Sequence, residues 1–244
     1  MKTYNPEKHI TIVEIPKNEI EKFDFAMCEQ PKQTLKAFYD SRSDKPDIIC
    51  NGGFFSLSSG DTVFNFKDNG KTISNAAQYR WGIGTINGEL KFGCIDNENF
   101  DDFVSAYPPL VEEGKAIEIT YAKELDYKAR RTMLGYNKDH IYIVAVESPG
   151  MMYAEMQTFM IGLGCEFAIN LDGGGSTKIL ENGKSLTSTL YNRAVDNVVA
   201  VYLKKEKILY KVQVGAFSIK ENAEKLKTEL KSKGYDAFIV SQKG

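Results

Sequence analysis

The sequence predicts an α+β protein: a mixed β-sheet domain carrying a βαβ unit at 141–172, followed by a small β-α-β module at the C-terminus. Three observations lead there. Apolar runs of strand length recur along the chain, broken by Gly, Asn and Asp. Between two of these runs, Met152, Met156, Phe159, Met160 and Leu163 follow the 3.6-residue spacing of an amphipathic helix. Charge is also divided, with residues 204–244 at net +5 and residues 1–203 at −7, as expected of a basic module on an acidic body.

Length and composition set the outer limits. With 244 residues and 42% hydrophobic content, the chain can build one substantial domain plus a small module. A formal charge of −2 leaves no nucleic-acid footprint. Cys28, Cys50, Cys94 and Cys165 are far apart with no C-x-x-C pair, so separate free thiols are expected. Eighteen consecutive apolar residues occur nowhere, and Met1–Pro16 lacks an apolar signal core. The expectation is cytoplasmic synthesis without membrane insertion, with any action at a cell wall following phage-type release.

Taken in order, "HITIVEI" at 9–15 alternates as a strand, "QTLKAFYDSR" reads as a short helix, and "PDIIC" is a buried strand entering "NGGFF" at 51–55. Phe54, Phe55 and Trp81 are expected in the core. From 60 to 120, short runs such as "WGIGTING" predict antiparallel hairpins. "RTMLGY" and "IYIVAVE" flank "NKDH" as a further hairpin. "SPG" leads into the amphipathic helix, and "FAINLD" is the next strand. Strand, helix and strand make a βαβ unit whose strands should run parallel. "VDNVVAVYL" at 195–203 closes the domain. Residues 204–209 read as a charged linker. The module at 210–244 comprises a strand at 210–217, a helix opened by a Ser218/Glu221 capping box and ended by Gly234, and a strand at "DAFIV".

A site follows from this arrangement. Glu147 and Asp172 each terminate a strand of the βαβ unit, and ligands bind beyond the carboxyl ends of such strands. Centring the hairpin turn on 137–140 places Arg130 or Arg131 opposite Glu147. The N–H groups of Gly173, Gly174 and Gly175 can cradle an anion, with hydroxyls from Ser176 and Thr177 and forked donors from Arg131 and Arg193. Two carboxylates beside a bound phosphodiester suit cleavage of a glycosidic bond whose leaving group is a phosphate. His9 and His140 are the only histidines and both sit at strand or turn positions, which disfavours a Ser-His-Asp triad. Asp172 is compatible with Ca2+, but no zinc spacing is present.

"AINLDGGGSTK", preceded by "RRTMLGY", "IYIVAVE" and "MQTFMIGLGCEF" and followed by "NRAVDNVVAVYL", resembles the phosphodiester glycosidase family. "NGGFF" and "AYPPLVEEGK" resemble its earlier blocks, in the same order, so the resemblance spans about 45–203. It implies a mixed α/β domain hydrolysing sugar-1-phosphodiesters. It also implies a site at Asn51 with Gly52, Arg131, Glu147, Asp172, Gly173 to Gly175, Ser176, Arg193 and Asn197. In this assignment Asp172, Glu147 and Arg131 are catalytic, Asn51 and Asn197 orient the ligand, and Arg130 faces solvent. One departure is Glu147-Ser148, where the family often has Asp-Gly. The tail resembles the first half of a SPOR repeat, which implies peptidoglycan as a partner. Two other functions fit the same residues: a catalytically silent glycan or nucleotide-sugar binder, and a phosphodiesterase cleaving on the phosphate side.

Overall fold

The structure is a computed structural model that describes residues 1–29, 32–121, 123–205 and 212–241. It divides into two units, Met1–Lys204 and Lys205–Gly244. The first unit begins with β1 (Lys2–Tyr4), β2 (Ile10–Pro16), β3 (Ile20–Met27), α1 (Leu35–Ser41), β4 (Ile48–Asn51), β5 (Phe66–Asp68) and β6 (Lys71–Ser74). It continues with β7 (Trp81–Ile86), β8 (Glu89–Cys94), β9 (Asp102–Ser105), β10 (Pro109–Glu112) and β11 (Lys115–Ala116). The second half holds β12 (Ala129–Tyr136), β13 (His140–Met151), α2 (Tyr153–Gly162), β14 (Phe167–Asn170), β15 (Ile179–Glu181), β16 (Lys184–Ser185) and β17 (Asn197–Leu203).

Three sheets result. The first runs β1-β2-β13-β12-β14-β10-β11, the second β16-β15-β4-β17-β3, and the third β6-β5-β9-β7-β8. The first sheet is buried on both faces. Val13, Ile15, Leu134, Ile143 and Ile169 pack with Phe25, Ile48, Val199, Phe66 and Ile83 of the other sheets. Ile12, Met133, Val144 and Ala168 pack on the other face with Met156 and Met160 of α2. Two-sided burial explains why β13 opens as an unbroken apolar run rather than an alternation. On the second sheet, Ile49, Leu180 and Val198 are covered by Leu35 and Phe38 of α1. That helix starts at Thr34, whose hydroxyl accepts from the Ala37 N–H at 3.1 Å.

The α+β class and the β13-α2-β14 unit agree with the sequence reading. Both strands of that unit run antiparallel to β12, which lies between them, so they share a direction without bonding each other. β13 is longer than expected. It passes through Glu147 and the Ser148-Pro149-Gly150 stretch to Met151, so Glu147 lies within a strand and does not end one. Met151 pairs with Ala129 across a register shift between Ala129 and Arg131, and this bulge lets the strand continue. Cys28, Cys50 and Cys165 are buried free thiols, and Cys94 is a half-buried one. Trp81 is not a core residue. It is 46% exposed at the start of β7, leaning on Phe92.

In the second unit, α3 (Lys220–Ser232) forms as predicted and Gly234 follows it at φ +88°. The Ser218/Glu221 capping box does not form. Ile219 is the N-cap, which places Glu221 one residue short of the capping position. The strand expected at 210–217 is absent from 212–217, its first two residues lying outside the described ones, and 236–240 also carries no strand. Two short strands without further partners make a marginal sheet, and Val212, Tyr235, Phe238 and Val240 are each exposed. Of the expected linker, 206–209 lies outside the described residues.

Candidate active site

Asp172 lies two residues beyond the end of β14, and its backbone is held from two sides. Its N–H donates to the Gly52 carbonyl at 3.0 Å, and its own carbonyl accepts from Asn51 Nδ2 at 2.6 Å. Its carboxylate accepts the Gly173 N–H at 2.8 Å. The carboxyl pKa is raised, chiefly by burial, against the opposing pull of the Ser176 hydroxyl, the Gly173 N–H and Arg193. The residue is still partly accessible, which suits a group that exchanges protons with a ligand.

The three glycines after Asp172 have three different causes. A Cβ on Gly173 would stand 2.6 Å from the Arg130 carbonyl oxygen. Gly174 has open space around it but adopts φ +59°, a left-handed conformation that glycine takes without steric cost. A Cβ on Gly175 would lie 2.7 Å from Cζ of Arg193. The loop is therefore shaped by close approach to two arginines, and Gly174–Ser176 turn as one 3-10 turn. Gly173 directs its N–H to the Asp172 carboxylate.

Arg130 joins this loop to Glu147. Its backbone lies against Gly173, and its side chain reaches the Thr177 carbonyl at 2.8 Å and Glu147 Oε1 at 3.6 Å. Tyr191 stacks on the guanidinium at 4.0 Å. Glu147 accepts the Ser188 N–H on both oxygens, at 3.0 and 3.1 Å. Lys178 completes the group. Its ammonium donates to the Tyr191 carbonyl at 3.0 Å, and its pKa is lowered by burial and then by Arg130, with Glu147 opposing. Residues Ser188–Tyr191 thus cover Arg130, Lys178 and Glu147 from above.

Several sequence expectations are corrected by this geometry. Arg130 is buried and faces Glu147, not solvent. The Arg131 side chain takes a different set of partners from that of Arg130. Its guanidinium donates to the carbonyls of Met151 (3.1 Å), Tyr127 (2.7 Å) and Leu125. Asn51 and Asn197 are fully buried braces and not ligand contacts. Asn51 Oδ1 accepts from Thr132 Oγ1 at 2.8 Å and from the Lys178 N–H at 3.2 Å, while Asn197 Oδ1 accepts the Gly53 N–H at 2.6 Å. Gly52 donates its N–H to the Asn197 carbonyl and serves the same bracing role. Phe54 and Phe55 pack as expected, Phe55 in the core and Phe54 against Phe64 and Tyr107. Asp172 belongs to no group of three or more ligands for a cation among the described residues. Among the described residues, the acids close enough to share one are Asp24, Asp68 and Asp102.

Lys178, Ser188 and Tyr191 escaped the sequence reading. Lys178 left one signal, a lone cation between Thr177 and an apolar strand start. Ser188 acts through its backbone N–H, which no residue type announces.

Comparison with known proteins settles the family. The phosphodiester glycosidase family model matches residues 34–202. The chain belongs to the phosphodiester glycosidase family. Mouse N-acetylglucosamine-1-phosphodiester alpha-N-acetylglucosaminidase is 27% identical over 180 residues, covering 62% of this chain and 34% of that protein, and the human protein is 24% identical. The chain spans about a third of the length of the curated relatives it matches. In fold, it is similar to the catalytic domain of the zebrafish enzyme auto-inhibited by its pro-peptide. The TM-score is 0.64 at 18% identity, with 82% of this chain and 85% of that one covered. A hypothetical protein from Synechocystis gives a TM-score of 0.71 at 13% identity, covering 83% and 61%.

A SPOR domain model matches residues 182–244. Its first third overlaps the glycosidase match, and in the structure β16 and β17 there belong to the second sheet of the first unit. The structural boundary at Lys204 divides the chain where the tail's charge changes.

Proposed function

We propose that this protein hydrolyses the bond between the anomeric carbon and the phosphate oxygen of a sugar-1-phosphodiester. Water adds to the anomeric carbon, the C1–O bond breaks, and the intact phosphomonoester leaves with the bonding electron pair. The observation that carries this reading is the continuity of Asp172, the Gly173–Gly175 loop, Arg193, Arg130 and Glu147 at one edge of the first sheet. Asp172 is the proton-transfer group, its raised pKa bringing it nearer the range where such groups work. Arg193 and Arg130 bind the phosphate. Arg130 Nε is buried without a hydrogen-bond partner, so a donor remains for an anion that displaces the Tyr191 cover. Glu147 orients Arg130.

The natural substrate in this proposal is a bacterial cell-wall glycopolymer, with the SPOR-like segment contributing peptidoglycan affinity. No helix among the described residues is long and apolar enough to cross a membrane. The test is product analysis by mass spectrometry after incubation with UDP-N-acetylglucosamine, with Asp172→Asn alongside. Free sugar and intact UDP, lost in the variant, support the proposal. Sugar phosphate with UMP moves the function to a phosphodiesterase. A rise in melting temperature without turnover moves it to a binding protein.

A further inference from the structure

Away from the glycine loop, three carboxylates from two sheets meet. Asp24 lies on β3 at the edge of the second sheet, while Asp68 ends β5 and Asp102 starts β9 in the third. One oxygen from each lies within 4.8 Å of the others. Oxygens that share one calcium ion at about 2.3–2.6 Å stand no more than about 5 Å apart, so the spacing suits a common ion.

Five of the six oxygens in this group have a donor. Lys22 Nζ donates to Asp24 Oδ2 at 2.7 Å, the Met27 N–H to Asp68 Oδ2 at 3.0 Å, and Asn69 Nδ2 to Asp68 Oδ1 at 2.7 Å. The Asn69 N–H donates to Asp102 Oδ1 at 2.7 Å, and Thr85 Oγ1 to Asp102 Oδ2 at 3.0 Å. The sixth, Asp24 Oδ1, is buried with no hydrogen-bond partner, on a residue only 5% exposed. Lys22, the ammonium paired with Asp24, is itself half exposed. Burying an acceptor without a donor is costly, and gathering like charges adds to that cost. A cation removes both penalties.

We propose that Asp24, Asp68 and Asp102 bind one calcium-class divalent cation that ties β3 to β5 and β9. The donor set is all carboxylate, which selects hard cations over zinc or copper. The ligands come from three strands, and calcium tolerates such irregular geometry better than magnesium. Lys22 is the competitor, because its ammonium must swing away when the ion binds.

The test is calorimetric titration of the EDTA-treated full chain with CaCl2, with thermal melts in parallel. One saturable site and a melting-temperature rise of about 3 °C or more are expected at saturating Ca2+. Asp24→Asn and Asp102→Asn should lose both signals, and Asp172→Asn should keep them. Absence of a calcium heat in the wild type, or binding that survives in both Asp variants, overturns the proposal. Should those variants fail to fold, Lys22→Gln decides. Tighter calcium binding supports the site, and unchanged or weaker binding rejects it.

Discussion

Asn51 and Asp172 are 121 residues apart in sequence, yet Asn51 Nδ2 donates to the Asp172 carbonyl at 2.6 Å. The same amide accepts from Thr132 Oγ1 and from the Lys178 N–H. One buried side chain therefore fastens β4, β12, the end of β14 and the strand after the glycine loop. Asn51→Leu removes three hydrogen bonds and leaves their partners buried. A loss of about 3 kcal/mol is expected in urea unfolding, from about 1 kcal/mol per bond. Turnover should fall with it, because Asp172 loses its backbone brace.

Asp172 sets activity against stability. Its folded-state pKa lies above the ordinary carboxyl value of 3.8. A raised pKa means the folded chain holds this proton more tightly than the unfolded one. The associated stability is present below 3.8 and is lost as pH rises through the folded pKa. At pH 7, Asp172→Asn should therefore melt at or above the wild-type temperature, the gap closing on acidification. Activity should fall by about two to four orders of magnitude. A variant retaining a tenth of wild-type turnover would remove Asp172 from the chemistry.

Arg130 and Arg131 should separate cleanly in kinetics. Arg130→Lys keeps the charge but loses the planar guanidinium that stacks on Tyr191 while reaching Glu147 and Thr177, and kcat/KM should drop by about 10- to 100-fold. Arg131→Lys loses the bonds to Met151, Leu125 and Tyr127. It should lower the melting temperature while leaving kcat/KM of the folded fraction within about threefold. The opposite pattern would return Arg131 to the site.

The glycine loop offers a graded series. Gly173→Ala forces a methyl group into the Arg130 backbone, and this variant should be the least stable. Gly174→Ala pays only for its left-handed φ, about 1 kcal/mol. Gly175→Ala meets the exposed Arg193 side chain, which can move, so stability should hold while KM rises. Melting curves and Michaelis–Menten measurements on the three variants check the order.

Much of this architecture was legible from residue pattern alone. The "NKDH" turn placed Arg130 or Arg131 opposite Glu147, and the 3.6-residue spacing found α2. Which of Arg130 and Arg131 faces the site was not legible. Strand alternation separates the two faces, but β12 is buried on both, so apolar neighbours mark neither as inside. The bulge after Ala129 shifts the local register as well. Asn51 and Asn197 were legible as special positions but not as braces, since an amide that holds a backbone and one that holds a sugar have the same side chain. Ser188 could not be found, because its contribution is a backbone N–H brought near Glu147 by a loop. The tail strands failed for a different reason. Their residues have strand propensity, but a sheet needs neighbours that local sequence does not supply.

The two-sided burial of the first sheet has a consequence for how this pocket can diversify. Arg130 and Glu147 project from β12 and β13, central strands of a sheet packed on both faces. Facing them are Ser188 to Tyr191, loop residues with no core behind them. Under the proposed function, the anchored wall supplies the charged groups and the loose wall sets the room beside them. Drift in guest size therefore has an inexpensive route through 188–191, while drift in chemistry must pass through the most crowded strands of the molecule.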